Sequence, residues 1–189
     1  MKKNPSSNIA AALRKKSVAV GSGKGGVGKS TTALNLAVFY ARMGIKVGLC
    51  DIDPLSNIAT ILDLDEERLK KSREDLGGEA GVLDDYVVPV FANLDLVFPR
   101  PKLKRGESAG MLARLFSSFA REILGRYDLL ILDLPAGTGR EENLSFLPFA
   151  GHLLVVTNSE PTSHVSAGGY VKAALETSPD ISEIGRAHV

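Results

Sequence analysis

Val18-Ala19-Val20-Gly21-Ser22-Gly23-Lys24-Gly25-Gly26-Val27-Gly28-Lys29-Ser30-Thr31 is the stretch whose reading decides the fold. Ser17 to Val20 is a short, partly β-branched apolar run that enters a glycine-rich loop, and Lys29 to Met43 then carries Leu34, Ala37, Val38 and Ala41 at helical spacing. The expected order is strand, loop, helix. Working outward, Lys46 to Cys50 ends on Asp51, Leu129 to Leu132 on Asp133, and His152 to Val156 on Thr157. Continuous apolar runs of this kind are those buried on both faces in parallel sheets. Leu94 to Phe98 is a weaker strand candidate, and Met111 to Leu124 and Thr162 to Leu175 show helical periodicity. Strands alternating with helices predict an α/β fold with a doubly wound, mostly parallel sheet and right-handed crossovers. Ligands of such sheets bind outside the carboxyl ends of the strands, where the glycine loop, Asp51 and Asp133 all fall.

Gly21 to Gly26 satisfies G-x-G-x-x-G after a strand, and Asp51 ends the next strand, as in dinucleotide-binding folds. The longer pattern G-x-x-x-x-G-K-S from Gly23 to Ser30 separates the readings. A pyrophosphate held by backbone amides needs neither the lysine nor the serine, whereas a nucleoside triphosphate needs both. Gly23, Gly25, Gly26 and Gly28 let N–H groups turn inward around phosphates, with Lys24, Val27 and Thr31 completing the loop. Lys29 neutralises charge shared by the β- and γ-phosphates, and Ser30 offers an oxygen to Mg²⁺. The helix starting near Lys29 adds its positive N-terminus. The expected ligands are a nucleoside triphosphate and Mg²⁺. A flexible linker is the competing reading of the glycines, and a tight strand-to-helix connection disfavours it.

A chain of 189 residues can bury one sizeable core, so one domain is expected. Its 23 basic and 22 acidic residues give no general attraction to nucleic acid or anionic membrane. Cys50 is the single cysteine, set in an apolar run where a small core residue is expected, which fits a reducing cytoplasm. No apolar stretch approaches the roughly 20 residues that span a bilayer, and Met1 to Lys16 lacks a signal-type apolar core. Residues 1–16 are expected as an N-terminal extension and 17–183 as the nucleotide-binding domain. Ile184 to Val189 reads like the in-frame translation of a sequencing-library adapter, so 184–189 is expected to be a scar and the natural protein to continue beyond Glu183. Asp63 to Glu79 reads as a charged, solvated helix and turn, and Pro99 to Arg105 as a basic surface turn or partner-binding loop.

The form K-G-G-x-G-K-S-T, with Lys24 two residues before Gly26, resembles the deviant phosphate loop of the MinD/ParA family of P-loop ATPases. Asp51-Ile52-Asp53-Pro54-Leu55-Ser56-Asn57 is similar to the family's switch I segment in its ParA form, with Leu55-Ser56 where that form has Gln-Gly. Asp133-Leu134-Pro135-Ala136-Gly137-Thr138-Gly139 resembles the Walker B and switch II segment of MinD, FlhG and the Mrp iron–sulfur carriers. Thr157-Asn158-Ser159-Glu160-Pro161 resembles the following strand end of MinD and FlhG, and Asn8 to Arg14 resembles FlhG's D-Q-A-x-x-L-R with Asn8-Ile9 at its first pair, the simpler reading of that segment being a frayed, capped helix end. The nearest likeness is therefore to MinD and FlhG.

The resemblance implies a P-loop NTPase fold and slow ATP hydrolysis by a dimer that ATP clamps together. Lys24 would reach the partner's nucleotide while Lys29, Ser30 and Thr31 serve their own. A developing negative charge on a triphosphate wants a second cation in any case. Asp53 would position the attacking water, Asp51 would support the Mg²⁺ shell and Asp133 would hold Mg²⁺ through water. Gly137 could bring its N–H against the γ-phosphate. The simpler readings are a solvated loop lysine for Lys24 and a helix N-cap for Asp51 or Asp53. MinD and FlhG relatives imply a cytoplasmic protein that meets the inner membrane surface or a polar-site regulator. ParA relatives imply non-specific DNA binding. Mrp-like carriers imply a scaffold that passes iron–sulfur clusters and wants a cysteine pair near its C-terminus.

Overall fold

The computed structural model describes residues 5–53, 58–65, 69, 81–99, 109–138, 144–181 and 183–188. The calls on Pro54 to Asn57, on most of Asp63 to Glu79, on Arg100 to Arg105 and on Gly139 lie outside the described residues. Strand β1 (Ser17–Gly21) leads through the glycine loop into helix α2 (Lys29–Arg42) and then β2 (Val47–Asp51). A short α3 (Ile58–Ile61) follows, then β3 (Val87–Phe91), β4 (Leu94–Val97), α4 (Ala109–Ser118), α5 (Ala120–Arg126), β5 (Leu129–Asp133), β6 (His152–Thr157), α6 (Pro161–Thr177) and β7 (Glu183–His188). A first helix, α1 (Pro5–Arg14), precedes them all.

Among the described residues seven strands form one sheet in the order β3-β4-β2-β5-β1-β6-β7. Among these described strands only the β3–β4 pairing is antiparallel. The expected α/β, doubly wound, mostly parallel sheet is therefore the architecture. β5 enters between β1 and β2, with Asp133 opposite Val20 on one side and Asp51 on the other. That register sets two carboxylates side by side at the mouth of the glycine loop.

The sheet is covered on both faces. Val20, Leu49 and Ile131 pack with Ala33, Ala37 and Ala41 of α2, while Ala19, Cys50 and Leu132 join Phe116, Ile123, Tyr170 and Ala174 on the other side. This is why the strands read as unbroken apolar runs: Leu130, Ile131 and Leu132 are all fully buried. Among the described residues no helix is long and apolar enough to cross a membrane.

Three elements differ from the sequence reading. The run Met111 to Leu124 is two helices broken at Phe119, and the Ser117 and Ser118 hydroxyls donate back to the carbonyls of Ala113 (2.8 Å) and Leu115 (2.7 Å), in competition with the helix ladder. β3 was not expected, and it lies on the margin with exposed Pro89 and a register shift between Pro89 and Phe91. Pro is tolerated only at such margins. The stretch expected as an extension contains α1, and Leu13 at its end is fully buried in the core. Lys16 Nζ donates to the carbonyls of Leu124 (3.2 Å) and Tyr127 (3.0 Å), satisfying acceptors at the end of α5. The backbone of Glu183–His188 runs parallel to β6 as the opposite outer strand, a stretch that overlaps 184–189.

Candidate functional site

Gly28 sits at φ 89° as the N-cap of α2, a left-handed conformation that costs glycine nothing and other residues strain. The helix therefore starts at Lys29 with its first N–H groups facing the loop. Val27, 4% exposed, anchors the loop in the core beside α2. Gly25 and Gly26 are exposed at the loop's crest. Thr31 is exposed on the first turn of α2, and its carbonyl accepts from Asn35 Nδ2 at 2.9 Å.

Lys29 is only 6% exposed, and its ammonium lies 2.7 Å from Asp133 Oδ1 and 3.5 Å from Asp53 Oδ2, with Ser30 Oγ at 3.3 Å. Asp51 is fully buried at the end of β2. The structure thus brings together Lys29, Ser30, Asp53 and Asp133, with Asp51 adjacent through the strand register. Burial raises the Asp133 carboxyl above its ordinary value, Lys29 and Ser30 pull it down, and Asp53 pushes the same way as burial. Two carboxylates on one lysine, with Asp51 adjacent in the sheet, leave an excess of negative charge that suits a divalent cation.

The donor set fits Mg²⁺ held in part through water. Asp133 Oδ2 is buried and has no hydrogen-bond partner among the described residues. No three His, Cys, Asp or Glu side chains among them converge to grip an ion directly. Mg²⁺ commonly keeps several waters and takes phosphate oxygens, so Ser30 and Asp133, supported by Asp51, are the residues that would hold it.

Lys24 is not part of this cluster. Its Nζ donates instead to Oε2 of Glu160, the N-cap residue of α6. Gly137, at φ 80°, gives its N–H to the Ser22 carbonyl at 2.8 Å, so that N–H ties the segment after β5 to the glycine loop. Gly23 lies against α6, where a Cβ would meet the Ser166 carbonyl oxygen at 2.1 Å. Its glycine is required by helix packing. Sequence reasoning missed Glu160 and Tyr170, whose ring lies against Gly21. Pro161 at the first helical position was the signal that Glu160 would cap a helix.

A buried lysine at the start of a helix, tied to strand-end carboxylates beneath a glycine loop, defines a P-loop nucleotide-binding protein. The chain belongs to the ParA family, described as NUBPL iron-transfer P-loop NTPase, whose match covers residues 14–176. The iron-sulfur cluster carrier protein of Synechocystis sp. is 34% identical over 74% of this chain and 40% of its own length. That of Bacillus subtilis is 33% identical over 87% of this chain and 46% of its own. The septum site-determining protein MinD of Synechocystis sp. is 33% identical over 76% of this chain and 53% of its own. The chain therefore spans less than half the length of either carrier. Among solved structures, the chimerical protein CapA2B2 superposes with a TM-score of 0.73 at 21% identity, covering 97% of this chain and 85% of that one. MinD of Pyrococcus horikoshii complexed with Mg-ADP gives 0.66 at 23%, covering 90% and 68%. These two likenesses show the fold. MinD does not stand ahead of the carriers, so the expected nearness to MinD and FlhG is not borne out.

Proposed function

We propose that this chain is the nucleotide-driven part of an iron–sulfur carrier: it binds ATP with Mg²⁺, dimerises around it and hydrolyses it slowly, so that nucleotide state gates transfer of the cargo. The observation that carries the nucleotide chemistry is Lys29, buried and held by Asp133 and Asp53 at the helix start. On binding, Lys29 exchanges these carboxylates for the β- and γ-phosphates, and Asp53, released from it, is placed to orient the attacking water. Mg²⁺ bound at Ser30 would neutralise phosphate charge. Lys24 supplies the second cation to the other subunit's nucleotide, which makes hydrolysis depend on pairing.

The cargo assignment rests on the family description and on the carriers among the relatives. Cys50 is not a cluster ligand, because it is fully buried and burial pushes its thiol well above the ordinary value. On this reading the cluster's sulfur ligands are cysteines other than Cys50, the single cysteine of this sequence, and finding a cysteine pair in the natural gene past the codon for Glu183 is the observation that would support it. A basic amphipathic helix there would favour the second reading, a MinD-like switch for positioning at a membrane, which the MinD relative supports.

The ATPase scheme is tested by phosphate release and sedimentation with ATP and Mg²⁺. Lys29→Ala is expected to abolish nucleotide binding, and Asp53→Ala to keep binding while trapping an ATP dimer. A monomeric, fully hydrolysing Asp53→Ala protein would falsify the scheme.

A further inference from the structure

Lys24 spends its charge inside its own chain, away from the phosphate cradle, on the Glu160 carboxylate. Both ends of that contact are held by the fold. On one side, Gly23 is seated on the backbone of α6 at Ser166 and Ala167, and Gly21 on the Tyr170 ring. On the other, the Glu160 N–H donates to Asn158 Oδ1 at 3.3 Å, and its carbonyl accepts from the N–H groups of Ser163 (3.0 Å) and His164 (3.3 Å) as α6 begins. Ser163 Oγ in turn lies 2.8 Å from Thr157 Oγ1 at the end of β6 and accepts from the Asn158 N–H at 3.3 Å. Glu160 therefore presents its carboxylate from a braced helix start. The nearby ammonium holds that carboxyl below its ordinary value, so it is ionised at neutral pH.

We infer that Glu160 is a positioning residue that parks Lys24 within its own chain, so that each subunit must break a Lys24–Glu160 pair before Lys24 can serve a second copy's triphosphate. This rests on the ATP-dimer reading proposed above. Lys24 cannot carry Glu160 with it, because a carboxylate brought against the triphosphate is repelled. The braced backbone also prevents Glu160 from following. The parked pair is half exposed, with the two side chains 43% and 54% accessible, so it is a weak latch that ATP can outcompete. Two latches open per dimer, and exposed ion pairs each shift an equilibrium by about 1.4- to 5-fold, so removing both favours the dimer by about 2- to 30-fold.

The experiment compares wild type, Glu160→Gln, Lys24→Ala and the double variant, measuring ATP-dependent dimerisation by sedimentation and phosphate release per chain across protein concentration. Glu160→Gln is expected to lower the concentration for half-maximal activity by about 2- to 30-fold, with the plateau rate and the ATP affinity of the single chain unchanged. In the Lys24→Ala background, where phosphate release is itself expected to be lost, the same substitution is expected to leave ATP-dependent dimerisation by sedimentation unchanged. An unshifted half-point in Glu160→Gln, or an equal shift without Lys24, overturns the latch. A wild-type protein whose activity per chain is independent of concentration and which forms no ATP dimer overturns the ATP-dimer reading itself, and the latch with it.

Discussion

At Gly23 a methyl group would press on the backbone of α6, which cannot rotate aside, whereas at Gly25 nothing lies within 4 Å of the same position. Gly23→Ala is therefore expected to destabilise the fold by about 1–3 kcal/mol in urea unfolding. Gly25→Ala is expected to leave the unfolding midpoint in place. A loss of nucleotide affinity in Gly25→Ala at unchanged stability would show that glycine there serves the phosphates rather than the fold. Lys29→Ala has a second consequence besides lost binding: Asp133 and Asp53 are left without their buried counter-charge, which costs about 3–5 kcal/mol. Differential calorimetry of the nucleotide-free variant checks it. Lys29, Ser30 and Asp133 were legible as site residues because motif and strand end both mark them. The Lys24–Glu160 contact was not, since 136 positions separate the two and only the docking of α6 beside the loop joins them.

Helix α4 shows how an element reaches the sheet without regular patterning of its neighbours. Phe116 is fully buried and meets Phe98, Phe146 and Phe149 at ring-centroid distances of 6.3, 5.6 and 5.1 Å, so one side chain fastens the segments on either side of β5. Phe116→Ala is expected to cost about 3–5 kcal/mol, read from urea unfolding. The central strands were legible because burial on both faces forces continuous apolar sequence. The break between α4 and α5 was not, because apolar spacing runs through Phe119 unchanged and only the serine hydroxyls betray the competition. β3 escaped for a related reason: Pro89 argues against a strand unless the strand is already known to lie at a margin. α1 is marked only by a short alanine-rich run, and its docking rests on Leu13, Lys16 and the close approach of Gly151 to the Arg14 carbonyl.

For the molecule as a whole, burial pushes the Cys50 thiol and the Tyr127 and Tyr170 phenols above their ordinary values of 9.0, 10.0 and 10.0. The folded chain keeps these protons where the unfolded chain releases them. Stability from the three groups is therefore complete below about pH 9 and declines as pH rises, by at most about 1.4 kcal/mol per pH unit for each group that titrates only when unfolded. Urea midpoints measured from neutral to alkaline pH are expected to fall from about pH 9 upward, and Cys50→Ala is expected to flatten the first part of that fall. A midpoint that stays level to about pH 11 contradicts the assignment.

The proline and register shift of β3 bear on how copies of the protein meet. A strand margin that offers a regular row of backbone donors and acceptors recruits further strands and seeds fibrous aggregates. Pro89 supplies no donor, and the irregularity after it interrupts the row, so this flank is closed to sheet extension from one molecule to the next. Crowding the protein to high concentration is therefore not expected to polymerise it along that flank.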